Sequence, residues 1–323
     1  MKILITGASG FIGSEVLKYL LKTTDWDIVC ICSWKHRGTP ENVVKDPRVK
    51  VITHDLIAPL TETTVQELGA IDYIINIASE SHVDRSITDP VTFIQNNVNL
   101  TLNMLELARE LKPKKFLQFS TDEVYGVAPD GVDHVEWSPI IPSNPYAASK
   151  AAQEAIAVSY WRTYGLPIVI TNTMNVYGET QDWEKFIPLC VKKITNGEKL
   201  TIHGKPDGTP GSRSYIHVNQ VAEAVKYIID NVDVPVYPNA DRPQRLNLVG
   251  EEEVDNLALA QRIAGYLGKE LKYEVVDFHS SRPGHDTRYS LDGSKLANLG
   301  WKPKNTLTTR LKETVYEIKS RLR

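Results

Sequence analysis

Cysteine is scarce in this chain. Three residues, Cys30, Cys32 and Cys190, in a sequence of 323 build no disulfide framework, and the Cys30-x-Cys32 pair has no second cysteine pair to complete a metal site. No metal is expected. Long apolar runs are lacking too: none approaches the roughly 18 residues of a membrane helix. Positive charge is not in surplus. The formal net charge is −3, which removes the electrostatic case for nucleic acid or an anionic membrane. Repeats and low-complexity linkers are absent. Met1 to Gly7 enters a strand at once, so no signal peptide is expected, and the expected location is a reduced cytoplasm. What is present is ordinary: 41% hydrophobic and 24% charged residues, the composition of a soluble globular protein, with length for about two domains.

Short apolar runs at 2–6, 27–32, 49–53, 72–78, 115–120 and 167–173 read as strands. Helical periodicity fills the gaps, most clearly at 90–111, with an apolar stripe at Val91, Ile94, Val98, Leu102 and Leu105. Strands alternating with helices predict an α/β fold, a doubly wound parallel sheet of the Rossmann kind. After residue 173 the alternation changes and a smaller C-terminal α/β domain is expected. The expected division is 1–173 with about 217–245 in the first domain, and 174–216 with 246–323 in the second.

Gly7-Ala8-Ser9-Gly10-Phe11-Ile12-Gly13 follows the first strand and opens a helix. Glycines at positions 1, 4 and 7 suit a tight turn, close backbone approach to a pyrophosphate, and close helix–strand packing. A dinucleotide is the expected ligand. The second strand normally ends in an acid that bonds the adenine ribose 2′-hydroxyl. Here it ends in Cys32, followed by Ser33, Trp34, Lys35, His36 and Arg37. An acid would repel a 2′-phosphate, whereas Lys35 and Arg37 suit one. The cofactor is therefore read as NAD or NADP, with NADP favoured. The third strand leads into Asp55-Leu56, where Asp55 either meets the adenine amino group or caps the next helix. The small residues Ala78 and Ser79 end the fourth strand and let a cofactor ribose pass close to backbone.

The fifth strand delivers Ser120-Thr121-Asp122-Glu123. Strand carboxyl ends face the ligand crevice in open α/β sheets, and two adjacent acids there are costly unless solvated, paired or used. About 25 residues on, Tyr146 and Lys150 stand at i and i+4, hence on one helix face. An ammonium beside a phenol lowers its pKa and makes it a base near neutral pH. Arg213, Arg282 and Arg288 are candidates for a diphosphate, because guanidinium forks match phosphate oxygens.

With these residues in hand, the chain resembles the extended short-chain dehydrogenase/reductases, and more narrowly the nucleotide-sugar 4,6-dehydratase family. The resemblance spans nearly the whole chain: Gly7 to Gly13, Glu80 to Ser86, Ser120 to Gly126, Tyr146 to Lys150, Glu184 to Pro188, Arg282 to Asp286, and Leu299-Gly300-Trp301. Asp122-Glu123 is its dehydratase-specific part. The resemblance implies a lyase that converts UDP- or dTDP-glucose, or a related NDP-hexose, to the 4-keto-6-deoxy sugar. Tyr146 with Lys150 would deprotonate the 4-hydroxyl and Thr121 would hold it. Glu123 would remove the C5 proton, and Asp122 would protonate the departing 6-hydroxyl. It further implies that Ser81, His82, Asn175, Glu184 and Lys185 join the three arginines in holding the nucleotide sugar. Helices 90–111 and 146–164 would form a homodimer contact. Alternatives are a 4-epimerase or other keto-sugar enzyme, and a catalytically idle dinucleotide-binding protein. The sequence departs from the family pattern at Cys32, Asn76, Asn96 and Glu179, and Asn96 and Glu179 are expected near the sugar.

Overall fold

Lys2–Thr6 forms β1 because four residues in a row, Ile3 to Thr6, bury their side chains on both faces of a sheet, the mark of a parallel strand covered on either side. The computed structural model describes residues 1–35, 38–278 and 286–322. In chain order, β1 is followed by α1 (Phe11–Thr23), β2 (Asp27–Cys32), β3 (Val49–Thr53), α2 (Glu62–Leu68), β4 (Tyr73–Asn76), α3 (Val83–Thr88), α4 (Pro90–Leu111), β5 (Lys115–Thr121), α5 (Pro145–Tyr164) and β6 (Ile168–Thr173). Then come β7 (Asn175–Tyr177), α6 (Phe186–Asn196), β8 (Leu200–Gly204), β9 (Ser212–His217), α7 (Val218–Asn231) and β10 (Gln244–Leu248). The remainder is β11 (Glu253–Asp255), α8 (Asn256–Leu267), β12 (Tyr273–Asp277), β13 (Arg288–Tyr289), α9 (Ser294–Asn298) and α10 (Leu307–Ser320).

The main sheet is seven-stranded in the order β10-β6-β5-β4-β1-β2-β3, and every pairing in it is parallel. Read from β3, this is the doubly wound order 3-2-1-4-5-6 with one strand added. One face packs on α1 and α7 through Val16, Leu17, Leu20, Val221, Val225 and Ile228. The other packs on α4 and α5 through Leu100, Met104, Leu105, Ala157 and Trp161. The smaller part joins β7, β9, β11 and β13 in one sheet and β8 with β12 in another. Helices α6, α8 and α10 cover it with a third apolar cluster that includes Ile187, Leu259, Ile263, Leu311 and Val315.

Three expectations change. The stretch 246–249, assigned to the smaller domain, lies in or beside β10, which pairs with β6 at the edge of the main sheet. Leu296 of α9 and Trp301 likewise pack into the main cluster with α7. The fourth strand is shorter than 72–78. Asp72 accepts the Lys2 N–H at 2.9 Å, and the N–H groups of Ile77 and Ala78 leave the ladder for Thr6 Oγ1 at 3.1 Å each. Finally, of the α4 stripe Leu105 alone is buried. The inward side of the helix is Phe93, Asn97, Leu100, Thr101, Met104, Leu105, Leu107 and Ala108, while Val91 is 63% and Leu102 37% exposed. Among the described residues no helix is long and apolar enough to cross a membrane.

Candidate active site

The sheet reverses strand order between β1 and β4, and the crevice opens there, where the physics of open sheets places it. Gly7 has φ +73°, and a Cβ on it would lie 2.9 Å from the Ala78 nitrogen. A Cβ on Gly13 would lie 2.1 Å from the Gly7 carbonyl oxygen. Only glycine permits this backbone. The turn closes with Gly10 N–H donating to the Gly7 carbonyl at 3.0 Å. Helix α1 then begins at Gly10 without any side-chain cap, leaving its first N–H groups for an anion. A cradle lined by bare backbone at the start of a 13-residue helix fits the pyrophosphate of a dinucleotide.

The crevice holds about 620 Å³. The expected cofactor residues Ser9, Phe11, Ile12, Ser33, Lys35, Asp55, Leu56, Ala78 and Ser79 line it along with the three glycines. So do Ser81, His82, Asn175, Glu184 and Lys185 and the expected catalytic five, Thr121, Asp122, Glu123, Tyr146 and Lys150. Arg37 and Arg282 lie outside the described residues. Arg213 and Arg288 do not line the crevice. Arg288 spends its guanidinium on Glu253, Asp133 and the carbonyls of Pro129 and Val132, so a diphosphate role does not fit its placement. Arg213 donates to the carbonyls of Ser212, Thr287 and Asp286 and lies over the Tyr289 ring at 4.4 Å. It stiffens the crevice wall rather than forming its surface. Of the two family departures expected near the sugar, Asn96 lines the crevice, donating to Glu80 Oε1 at 2.6 Å. Glu179 does not: His217 and Arg310 hold it, and its carboxyl is lowered to about 2 despite burial by the His217 hydrogen bond.

Past the ends of β2 and β3, Lys35 forms an ion pair with Asp55. The Cys32 thiol is pushed up by burial and meets Ser9. At the opposite end two loops meet across the mouth. His82 Nε2 pairs with Glu184 Oε2 at 2.7 Å, and Lys185 Nζ donates to the Ser81 carbonyl at 3.4 Å. Burial lowers the His82 imidazole against the pull of Glu184.

The expected catalytic acids sit where β5 ends. Beyond Thr121 the chain makes a single 3₁₀ turn, Asp122–Tyr125, which swings both acids into the crevice instead of alternating them across a strand. Thr121 Oγ1 donates to Asp122 Oδ1 at 2.9 Å. Asp122 is 5% exposed, and burial followed by the Glu123 charge pushes its carboxyl to about 7. Burial also raises Glu123, opposed by a hydrogen bond from Asn144 Nδ2 at 3.1 Å. Tyr289 Oη donates to the same Glu123 oxygen at 3.4 Å.

The Tyr146 phenol does not behave as the i, i+4 spacing suggests. Burial raises it well above 10, the Glu123 and Asp122 charges raise it further, and a hydrogen bond with Thr121 lowers it. Lys150 Nζ reaches the sheet, donating to the Phe119 carbonyl at 2.8 Å and to Gln153 Oε1 at 2.5 Å. Burial pushes that ammonium down to about 7. The phenol is thus held by Thr121, while the lysine is anchored behind it.

Sequence reasoning missed the support beneath these groups. Glu154, one turn past Lys150, is paired with Arg245 of β10, both about 1% exposed in their side chains. Glu154 also accepts from Asn172 at 2.7 Å, and the same Asn172 amide donates to the Thr121 carbonyl at 3.0 Å. A second chain of buried amides runs from Thr6 through Asn76 and Gln118 to Gln153. The only sequence signal was the i, i+4, i+8 spacing of Tyr146, Lys150 and Glu154.

Comparison with known proteins agrees with this geometry. A family model described as GDP-mannose 4,6 dehydratase matches residues 4–314. The low-salt glycan biosynthesis protein Agl12 of Haloferax volcanii is 35% identical, covering 94% of each chain. The dTDP-glucose 4,6-dehydratase of Salmonella typhimurium is 34% identical over 98% of this chain and 92% of its own. Among solved structures, the Streptomyces venezuelae dTDP-glucose 4,6-dehydratase DesIV with NAD bound superposes at TM-score 0.88 and 33% identity, covering 99% of this chain and 97% of that one. A UDP-glucose 4-epimerase of Thermus thermophilus, also with NAD, superposes at 0.87 and 28%, covering 99% of both chains.

Proposed function

The chain belongs to the GDP-mannose 4,6 dehydratase family of extended short-chain dehydrogenase/reductases, and from that premise we propose that it is an NDP-hexose 4,6-dehydratase. The substrate to test first is dTDP-glucose, the sugar named for several relatives. UDP-glucose is the second. The product is the 4-keto-6-deoxy sugar nucleotide plus water. One observation carries the reading: Asp122, Glu123, Thr121, Tyr146 and Lys150 share one crevice wall, which is the set that an elimination of water needs and a bare epimerisation does not.

Residue by residue, the chemistry divides as follows. Tyr146 takes the proton from the sugar 4-hydroxyl as the phenolate, the form that the Thr121 hydrogen bond favours against burial and the nearby acids. When bound, a nicotinamide dinucleotide would supply the hydride chemistry, taken up from C4 and given back at C6. Once C4 is a ketone, the C5 proton is acidified, and Glu123 removes it. Asp122, protonated up to about pH 7, gives its proton to the 6-hydroxyl, which leaves as water. Glu123 then returns a proton to C5. Two adjoining carboxyls serve as acid and base because close like charges disfavour double ionisation.

The cofactor reading keeps its order, with NADP favoured over NAD because no acid ends β2 and Lys35 lines the adenosine end. Its pairing with Asp55 makes the ion pair, rather than a lone lysine, the group a 2′-phosphate would meet. Retention of NADP and NAD by wild type and by Lys35→Ala decides this. Assembly is proposed as a homodimer through α4 and α5, supported on α4 by Val91 and Leu102, which are exposed, and by Ile94 and Val98, which are half-buried; monomer mass by light scattering refutes it. The three free, buried cysteines support the reading of a reducing cytoplasm as the reaction's location. The test of function is mass spectrometry after incubation with dTDP-glucose and UDP-glucose. Loss of one water supports the reading, and a product of unchanged mass favours a 4-epimerase.

A further inference from the structure

The two acids after β5 are chemically alike, yet elimination needs one as base and one as acid. The structure distinguishes them through a residue outside the doublet. Asn144 is the N-cap of α5, the helix that carries Tyr146 and Lys150. It is 5% exposed, and both ends of its amide are used. Oδ1 accepts the Ala147 N–H at 2.8 Å. Nδ2 donates to Glu123 Oε2 at 3.1 Å.

We propose that Asn144 is a positioning residue for the elimination step: it fixes the Glu123 carboxylate against the start of the Tyr146 helix and makes Glu123, not Asp122, the base. The inference rests on the reading of Glu123 as the group that removes the C5 proton. A cap alone needs only an acceptor, which Ser, Thr or Asp supplies equally well. What these three lack is an amide donor pointing outward. The Asn144–Glu123 bond is charge-assisted, so it favours the ionised carboxylate, against the burial that favours the neutral one. Asp122 has a hydroxyl donor but no side-chain amide donor. Its Oδ1 accepts from Thr121, and its buried Oδ2 meets no partner among the described residues. The other ionisable groups around Glu123 are Asp122, Tyr146, Lys185, Arg213, Asp286 and Tyr289. Of these, Tyr289 makes only the longer 3.4 Å contact. Asn144 is therefore the neutral donor that separates the two acids.

The test uses substitutions that spare the cap. Asn144→Ser keeps an N-cap acceptor and removes the amide. Asn144→Asp keeps the cap and turns a carboxylate toward Glu123. Each full-length variant is assayed with dTDP-glucose for water loss and with dTDP-6-deoxyglucose for C4 oxidation. The second sugar has no 6-hydroxyl to lose, so it reports Tyr146 alone. Asn144→Ser is expected to lower kcat for water loss by about tenfold or more, with KM and C4 oxidation within about twofold of wild type, and Asn144→Asp is expected to lower it further. Equal loss in both assays means that the helix start itself has moved, and overturns the proposal. So does unchanged water loss in Asn144→Ser. Glu123→Gln separates the two readings. If it loses water at the wild-type rate, the base assignment is what fails. If it stops water loss while Asn144→Ser does not, only the role of Asn144 falls.

Discussion

Replacing Asp122 by asparagine should make the protein more stable and less active at the same time. The Asp122 carboxyl is 5% exposed, one of its oxygens meets no partner among the described residues, and burial with the Glu123 charge raises it from 3.8 to about 7. A carboxyl raised on folding binds its proton more tightly in the native chain than in the unfolded one. Its contribution is full below the unfolded value and is lost as pH rises through about 7. Between about pH 5 and its folded value the native chain gives up about two pH units, at about 1.4 kcal/mol each, or ~3 kcal/mol by about pH 8. The replacement amide carries no charge to bury, still accepts from Thr121, and lowers the cost of ionising Glu123. Urea unfolding of both proteins at about pH 5 and about pH 8 should show the wild type losing ~3 kcal/mol relative to Asp122→Asn across that interval. Water loss should fall by about 10²–10⁴, the usual worth of a positioned acid. Parallel stability in the two proteins at both pH values would refute the argument, because Asp122 would then not be buried as a charge.

Three further outcomes follow from the packing. Glu154→Gln strands the buried Arg245 guanidinium and should cost about 3–5 kcal/mol, whereas Glu154→Gln with Arg245→Met should recover much of it; thermal melts of the two variants check this. Gly13→Ala forces a Cβ to within 2.1 Å of the Gly7 carbonyl, so dinucleotide retention should be lost while circular dichroism stays native. Lys150→Met removes a lysine held down at about 7 by burial, so most of the activity should be lost, while the residual rate should still fall above about pH 7 as Asp122 ionises; a pH–rate profile of the variant checks this.

The parts of this fold that could be read from sequence are those where apolar runs meet glycine or acid. β2, β3 and α4 have the expected bounds, and the glycine loop and the acids after β5 face the crevice as their positions at strand ends imply. The parts that could not be read are those where buried polar groups interrupt the hydrophobic pattern. Gln244-Arg245-Leu246-Asn247-Leu248 alternates polar with apolar residues, yet Arg245 and Asn247 are both about 1% exposed, Arg245 bonding Glu154 and the Glu136 carbonyl, and Asn247 bonding Glu136 and two loop carbonyls. That hid the seventh strand of the main sheet. The face of α4 was misread for the same reason: Asn97 and Thr101 lie inward, Asn97 bonding Ser79, Glu80 and Ser149, while Val91 and Leu102 lie outward. Charge partners are also invisible to spacing. Arg288 matched a phosphate ligand by residue type, and Tyr146 with Lys150 by interval, until three-dimensional neighbours supplied Glu253 for one and Gln153 for the other.

The measurement that bears most directly on the whole account is turnover of dTDP-glucose in deuterated water. If Glu123 exchanges the C5 proton while Asp122 expels the 6-hydroxyl, the product is a 4-keto-6-deoxy sugar that carries solvent deuterium at C5, and Glu123→Gln forms none of it. A product that keeps its 6-hydroxyl, or one made by Glu123→Gln at the wild-type rate, contradicts the account.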